Sequence, residues 1–255
     1  MGQEPGSVHV SRQGDRATVV WDRPPAQVFD RALLQNLAER LRGEPVRSAK
    51  VVVLKGARGR WSAGFAVEDH LPDGLPGMLA ALREVLTALW SIPGPVLAQV
   101  EGRCLGGGLE LLTACDLAFA SASASFGQPE IRLGVFPPLA VALYGQSLGP
   151  KRSAELLFLG EEIPAARAEA FGLVSRVVPD GQLEATIGQA ADLLSGYRRE
   201  TLVLLKKALS RIAPPPWGRL DQVERIYLEE LMTLPGAEEG LRAFLEKRPP
   251  LWPPS

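Results

Sequence analysis

Two carboxylates twenty positions apart, Glu110 and Glu130, bracket the stretch of the chain richest in chemistry. Glu110 follows Leu105-Gly106-Gly107-Gly108, and Glu130 closes Phe126-Gly127-Gln128-Pro129-Glu130. Successive residues without Cβ let the backbone turn tightly and let a ligand atom come close to it. A helix opening at such a turn leaves its first amides unpaired and pointing back into the turn, where they favour negative charge. With Glu110 atop that helix and Glu130 in the loop beyond the next strand, both carboxylates face one pocket beside the glycines. The combination is an acid/base pair next to oxyanion donors: amides steady a developing O⁻, and two carboxylates pass protons to and from a water. The competing reading is structural, because a first-turn Glu also complements a helix dipole and a Glu after Pro is often a solvated loop residue.

The elements that must position these residues are readable on either side. Residues 95–100 and 117–120 are short apolar runs suited to buried strands, and Leu109, Leu112 and Ala114 mark the apolar positions of the helix between them. Other motifs do not compete. Gly145-Gln146-Ser147-Leu148-Gly149 has the G-x-S-x-G form of a nucleophile elbow, but it follows a helical run, and both histidines, His9 and His70, precede it. The glycine turn lacks the Lys-Ser/Thr of a phosphate loop and the third glycine of a dinucleotide loop. Two cysteines, Cys104 and Cys115, are too few for a disulfide framework or a four-ligand metal site, so no metal and a reducing, cytoplasmic setting are expected, with Cys115 in the core.

The 255 residues suffice for one large domain, or one with an appendage. A net charge of −1 exerts no pull toward nucleic acid or an anionic membrane. The N-terminus, with Glu4 and Pro5, shows no basic segment leading into an apolar one, and no apolar run is long enough to span a bilayer. Residues 8–12 and 17–21 read as a hairpin around Gln13-Gly14-Asp15. Asp30 N-caps a helix carrying Leu33, Leu34, Leu37 and Leu41, and Gly43 stops it. A strand at 50–55 and a helix at 77–92 follow, which argues an α/β domain with crossover connections. Pro138 opens another helix, since its missing N–H costs nothing there. Helices at 151–159 and 165–171, the latter stopped by Gly172, precede a last strand at 175–178. The pattern is then helical throughout, over 183–194, 200–212, 223–233 and 237–246. That shift places a boundary near Ser195, dividing a core of residues 1–195 from a helical segment, 196–255, whose apolar faces need a partner surface.

GRCLGGGLELLTACDLAFAS followed by FGQPEIRLG resembles the signature of the enoyl-CoA hydratase/isomerase, or crotonase, superfamily. The likeness extends upstream to Trp61-Ser62-Ala63-Gly64-Phe65 and downstream through Gly149-Pro150-Lys151-Arg152 to residues 241–248. It implies an α/β spiral of strand-strand-helix turns with a C-terminal helical trimerisation segment, assembled as a homotrimer or a dimer of trimers (a hexamer). It implies an acyl-CoA substrate with no separate cofactor, the family's setting in fatty acid metabolism, and a lyase activity that adds water across a 2,3 double bond. The backbone amides of Phe65 and Gly107 would hold the thioester oxygen, and Glu110 and Glu130 the water. Arg58, Arg60 and Ala63 are the candidates for coenzyme A, with solvated charges the plainer reading of the arginines. Two segments, SAGFAVEDH and LGVFPP, are similar to those of cyclohexa-1,5-dienecarbonyl-CoA hydratases. They place Ala66 where many relatives have Asp, and Val135-Phe136-Pro137-Pro138 where many have a glycine-rich segment, so Ala66, Phe136 and Pro138 are acyl-pocket candidates. His70 is either another or a surface loop residue. Within the family an isomerase or a thioesterase is the nearest alternative. Outside enzymes it is an RNA-binding homologue, against which the near-zero charge and the lack of a basic stripe count.

Overall fold

The computed structural model describes residues 6–252; Glu4 and Pro5 lie outside them. Strands β1 (Ser7–Gln13) and β2 (Arg16–Asp22) pair antiparallel across the expected turn, with Gly14 at φ 57°. Helix α1 (Arg31–Arg42) begins at Asp30, whose carboxylate accepts the Leu33 amide, and it buries Leu33, Leu34, Leu37 and Leu41 as one stripe. Gly43 does end α1, but at an extended φ of −65° that leads straight into the short α2 (Glu44–Arg47).

From there the chain alternates strand and helix through β3 (Val51–Gly56), α3 (Leu75–Trp90) and β4 (Val96–Val100). Next come β5 (Arg103–Leu105), α4 (Gly107–Thr113), β6 (Leu117–Ser121) and β7 (Ser125–Gly127). The sequence then gives α5 (Pro138–Ser147), α6 (Pro150–Leu159), β8 (Ile163–Pro164), α7 (Ala165–Phe171), β9 (Arg176–Val178) and α8 (Leu183–Ser195). The strands form a six-stranded sheet, β1-β2-β3-β4-β6-β9, parallel from β2 onward, and a three-stranded sheet, β5-β7-β8. Alternation along β3 explains the layering. Val52 and Leu54 join the main core with α1 and α3, whereas Val51 and Val53 pack with Leu183, Ile187 and Ala191 of α8 on the opposite face. A strand covered on both sides must be apolar throughout, as 51–54 is.

The last helices fold back onto the core. In α9 (Arg199–Ile212), Arg199 donates to the carbonyls of Arg47 and Ala49, and Lys206 reaches Asp116 at 2.7 Å and the Gly94 carbonyl at 3.0 Å. The helix expected over 223–233 starts earlier, as α10 (Trp217–Arg225), because Trp217 is seated edge-on against Trp90 (5.0 Å between centroids) beneath the Arg83 guanidinium. It continues as a wide π-helical turn, Ile226–Glu230, and a 3₁₀ turn, Leu231–Thr233. The final helix, α11 (Glu239–Leu245), is shorter than expected and packs on the 3₁₀ turns Val67–His70 and Pro129–Leu133. Cys115 lies just past α4 and is only partly buried; Cys104 in β5 is the buried thiol. Among the described residues no helix is long and apolar enough to cross a membrane.

Asp30 joins this scaffold to the site, because the neighbouring Phe29 hydrogen-bonds the loop at Gly64. Its carboxylate caps α1 at 2.8 Å and meets Arg23 at 2.6 Å. Asp30→Ala is expected to cost about 1 kcal/mol, the usual worth of an N-cap, and to lower Tm by about 2–4 °C. Thermal unfolding followed by circular dichroism checks this; an unchanged Tm would show that the cap contributes nothing.

Candidate active site

Two loops meet to form an amide-lined turn. The first, residues 61–66, is laced to its neighbours on both sides. Trp61 and Ser62 donate their amides to the carbonyls of Glu101 and Arg103, Leu105 donates back to Ser62, Ala63 donates to Ala26, and Gly64 and Phe29 join at 2.9 Å. The Ser62 hydroxyl donates to the Gln27 carbonyl at 2.7 Å and accepts the Gly64 amide at 3.0 Å. Two indoles extend the lacing: Trp21 donates to the Trp61 carbonyl, and Trp61 to the Gly108 carbonyl, each at 2.8 Å.

The second loop is the glycine turn. Gly106 sits at φ 50°, ψ −129°, where a side chain is strained, and a Cβ there would lie 2.6 Å from Glu130 Oε1. A Cβ on Gly107 would collide with the Phe65 ring, and one on Gly64, at φ 110°, would stand 3.8 Å from the Gly107 nitrogen. Only hydrogen at these positions lets the two loops touch. Among the described residues the amides of Phe65 and Gly107 have no backbone acceptor. They are free to serve a ligand oxygen.

Glu110 and Glu130 are 2% and 8% exposed and line one cavity. Glu110 Oε1 accepts the Ala140 amide at 3.0 Å, so the carboxylate caps the N-terminus of α5. Burial nevertheless raises its pKa to about 7, with the amides of Ala140 and Leu139 opposing the shift. Burial, and then the charge of Glu110, raise Glu130 to about 8. Near neutral pH the pair therefore holds about one proton between its members, giving one acid and one base. Gln128 secures Glu130. With the amide oriented to satisfy both ends, its nitrogen donates to the two carboxylate oxygens at 3.1 and 3.2 Å and its oxygen accepts the Tyr144 hydroxyl at 2.7 Å. The space between the carboxyls and their neighbours is about 10 Å³, around the minimum that holds one water.

Beside this cavity runs a groove of about 480 Å³ that passes Ala63, Gly64 and Gly107 and carries Arg103, Arg132 and Arg248. His70 and Phe65 line both spaces. His70 donates Nδ1–H to the Ala66 carbonyl at 3.0 Å, and burial lowers its pKa, so the ring is neutral with Nε2 left as an acceptor. Phe136 and Pro138 stand in the cavity wall, and Ala63 in the groove. Ala66 is in neither lining: its side chain packs inward and only its carbonyl serves the site, through His70. Arg58 and Arg60 are also elsewhere. Arg58 forms a two-pronged pair with Asp22 at 3.0 Å, and Arg60 donates to the Pro25 carbonyl. A nearby carboxylate and a backbone turn claimed both side chains, and the groove cations come from strands and turns more than forty residues downstream of them. The sequence reading also missed Gln128, Tyr144 and Tyr227. Gln128 alone carried a signal, as an amide two residues before Glu130; the tyrosines look like ordinary helical core residues.

Since an unfolded glutamate ionises near 4.5 and these two titrate at about 7 and about 8, the folded chain binds more protons between those values. Stability therefore falls as pH rises from about 5 to about 8. Glu130→Gln keeps the shape and removes one of the two titrations. Its Tm is expected to exceed the parent's at pH 8 and to decline less between pH 5.5 and 8, measured by scanning calorimetry. Curves that run parallel across that range would show that Glu130 ionises like an exposed carboxyl.

Comparison with known proteins agrees with the geometry. The family model described as enoyl-CoA hydratase/isomerase matches residues 16–254. The chain is 35% identical over 252 residues to a cyclohexa-1,5-dienecarbonyl-CoA hydratase of Thauera aromatica, covering 97% of this chain and 96% of that one. It is 32% identical to a probable enoyl-CoA hydratase of Rhizobium meliloti (strain 1021), covering 94% and 95%. The crystal structure of an enoyl-CoA hydratase from Mycobacterium avium subsp. paratuberculosis K-10 superposes with a TM-score of 0.82 at 26% identity, over 97% of this chain and 99% of that one. A matched family model over nearly the whole chain, a shared fold, and two buried carboxyls beside a free amide turn lead to one conclusion: the chain belongs to the enoyl-CoA hydratase/isomerase family.

Proposed function

We propose that the chain hydrates a 2,3-enoyl thioester of coenzyme A. The observation that carries this reading is the proton-sharing pair Glu110 and Glu130 around a water-sized space, next to the free amides of Phe65 and Gly107. Glu110, held by α5 amides, is the more acidic member and acts as base; Glu130 holds the proton. Water gives a proton to Glu110 as its oxygen bonds to carbon 3. The C2=C3 π electrons move toward the thioester, whose oxygen becomes enolate-like between the two amides. Carbon 2 then takes the proton of Glu130, and the C=O re-forms. One oxyanion donor is worth about 3 kcal/mol in comparable sites. Retention of two carboxyls favours hydration over isomerisation or thioester hydrolysis, which do not need the pair around one water.

The coenzyme A portion lies in the groove, where Arg132 makes no ion pair among the described residues and suits a phosphate. Phe136, Pro137 and Pro138 give the acyl end a stiff apolar wall, and the flexible Met78, which also lines the cavity, can yield to admit a ring. These features, with the Thauera relative, support a cyclic, conjugated acyl group. The assembly is a trimer or a dimer of trimers. The support is the outer face of α9, where Leu204, Leu205, Leu209 and Ile212 are 55–82% exposed with no covering element among the described residues. Two unpaired cysteines and the absence of a membrane-crossing helix among the described residues fit a cytoplasmic enzyme.

The decisive experiment follows loss of the conjugated thioester absorbance for crotonyl-CoA, cyclohex-1-enecarbonyl-CoA and cyclohexa-1,5-dienecarbonyl-CoA. A ring substrate is expected to exceed crotonyl-CoA in kcat/KM by about tenfold, the scale of shape discrimination in an apolar pocket. Glu110→Gln and Glu130→Gln should each lose ~100-fold or more in kcat while remaining folded. Full activity in either variant would end the two-carboxyl mechanism, and a tenfold preference for crotonyl-CoA would end the ring assignment. Light scattering is expected to report three or six times 27.4 kDa, and a stable monomer would overturn the assembly.

A further inference from the structure

We propose that the hydroxyl of Tyr227 is the third hydrogen-bonding partner of the oxygen added to, or removed from, carbon 3 of the acyl group. This rests on the hydratase reading above and adds a catalytic residue to it. Tyr227 is 1% exposed, and its hydroxyl is without a hydrogen-bond partner among the described residues. It lines the same cavity as Glu110 and Glu130. Burial, followed by the charges of those two carboxyls, holds the phenol well above its usual pKa, so it stays protonated.

The ring has no freedom to turn its hydroxyl elsewhere. Phe136 meets it edge-on at 5.0 Å and 82°, and Leu75, Met78, Leu79, Val135 and Leu241 complete an apolar cluster around it. The residue belongs to the π-helical turn Ile226–Glu230, between α10 and the 3₁₀ turn Leu231–Thr233. Such turns are rare in helices and recur at functional sites. A buried hydroxyl with no partner is costly to the folded state unless a ligand atom or water completes it. Here the space it shares with the carboxyls is where the reacting oxygen belongs.

The valences of that oxygen require a third partner. A water between an ionised and a protonated carboxyl donates one hydrogen to the first and accepts one from the second. One lone pair remains to attack carbon 3, and one hydrogen remains without an acceptor. The Tyr227 oxygen supplies it, and in the reverse direction, which passes the same transition state, it accepts the same hydrogen from the departing hydroxyl. No bond to Tyr227 forms or breaks, and its own proton stays in place throughout.

The test is Tyr227→Phe in the full chain, which removes one oxygen and keeps the ring. With the preferred enoyl thioester, kcat is expected to fall about tenfold, equivalent to about 1.4 kcal/mol, with KM within twofold and Tm equal to or above the parent's. Calorimetric binding in the Glu110→Gln background, where turnover is slowed, compares 3-hydroxybutyryl-CoA with butyryl-CoA. The hydroxyl should tighten binding several-fold when Tyr227 is present, and Tyr227→Phe should abolish that increment. Unchanged kcat with an unchanged increment overturns the proposal, as does a fall in kcat accompanied by a fall in Tm and an intact increment, which marks a packing role. A parent protein that neither hydrates nor binds any of these thioesters overturns the hydratase reading and this inference together, and is recognised before any change at Tyr227.

Discussion

Two carboxyl groups buried in one small cavity cannot both stay ionised near neutral pH, and the rest of the structure is arranged around how that conflict is relieved. Burial raises both pKa values, the charge of Glu110 adds to the rise at Glu130, and the donors oppose the shift unequally. Glu110 receives the first amides of α5; Glu130 receives a single side-chain amide, Gln128. Helix α5 sits behind both arrangements, since Tyr144 on its later turns fixes the Gln128 amide that faces Glu130. One helix thus reaches both carboxyls, Glu110 through its first amides and Glu130 through Tyr144 and Gln128. A water held between them meets an acid on one side and a base on the other.

The oxyanion turn is built by a different means, the elimination of side chains. Gly64, Gly106 and Gly107 bring two backbones within contact, and the Phe65 ring closes over the space that a Cβ at Gly107 would fill. Such an approach leaves no bulk to hold the loops apart or together. The hydrogen-bond ladder from residues 61–63 to neighbouring chain segments, and the relay from Trp21 through Trp61 to Gly108, supply the stiffness. Amides preorganised in this way need no rearrangement as charge develops on the thioester oxygen.

The helical tail completes the site as well as offering an assembly surface. Tyr227 enters the carboxyl cavity from the π-helical turn, and Ala243, Phe244 and Arg248 of the last segment wall the groove. A boundary near Ser195 is visible as a change of pattern in the chain. In space the two parts share one cavity, so the tail cannot be altered without touching the chemistry.

Local signals determined a good deal here without help from the fold. Alternating, helical and all-apolar patterns placed the hairpin, β3, β4, β6 and helices α1, α3 and α8 close to their observed bounds, because an element that buries one face writes its period into adjacent residues and a strand buried on both faces is apolar throughout. The glycine run and the spacing of Glu110 and Glu130 marked the site for the same reason: glycine is needed wherever Cβ cannot fit, and that need is local. The tertiary structure alone decided the partners of each charge and each buried hydroxyl. Arg58 and Arg60 lie near the first oxyanion loop in sequence, yet Asp22 and the Pro25 carbonyl hold them, while Arg103, Arg132 and Arg248 reach the groove. Tyr227 is 117 residues from Glu110 along the chain and shares a cavity with it. Hydrogen bonds and ion pairs act over a few ångströms between elements whose meeting depends on every connection between them, so no window of sequence carries that information.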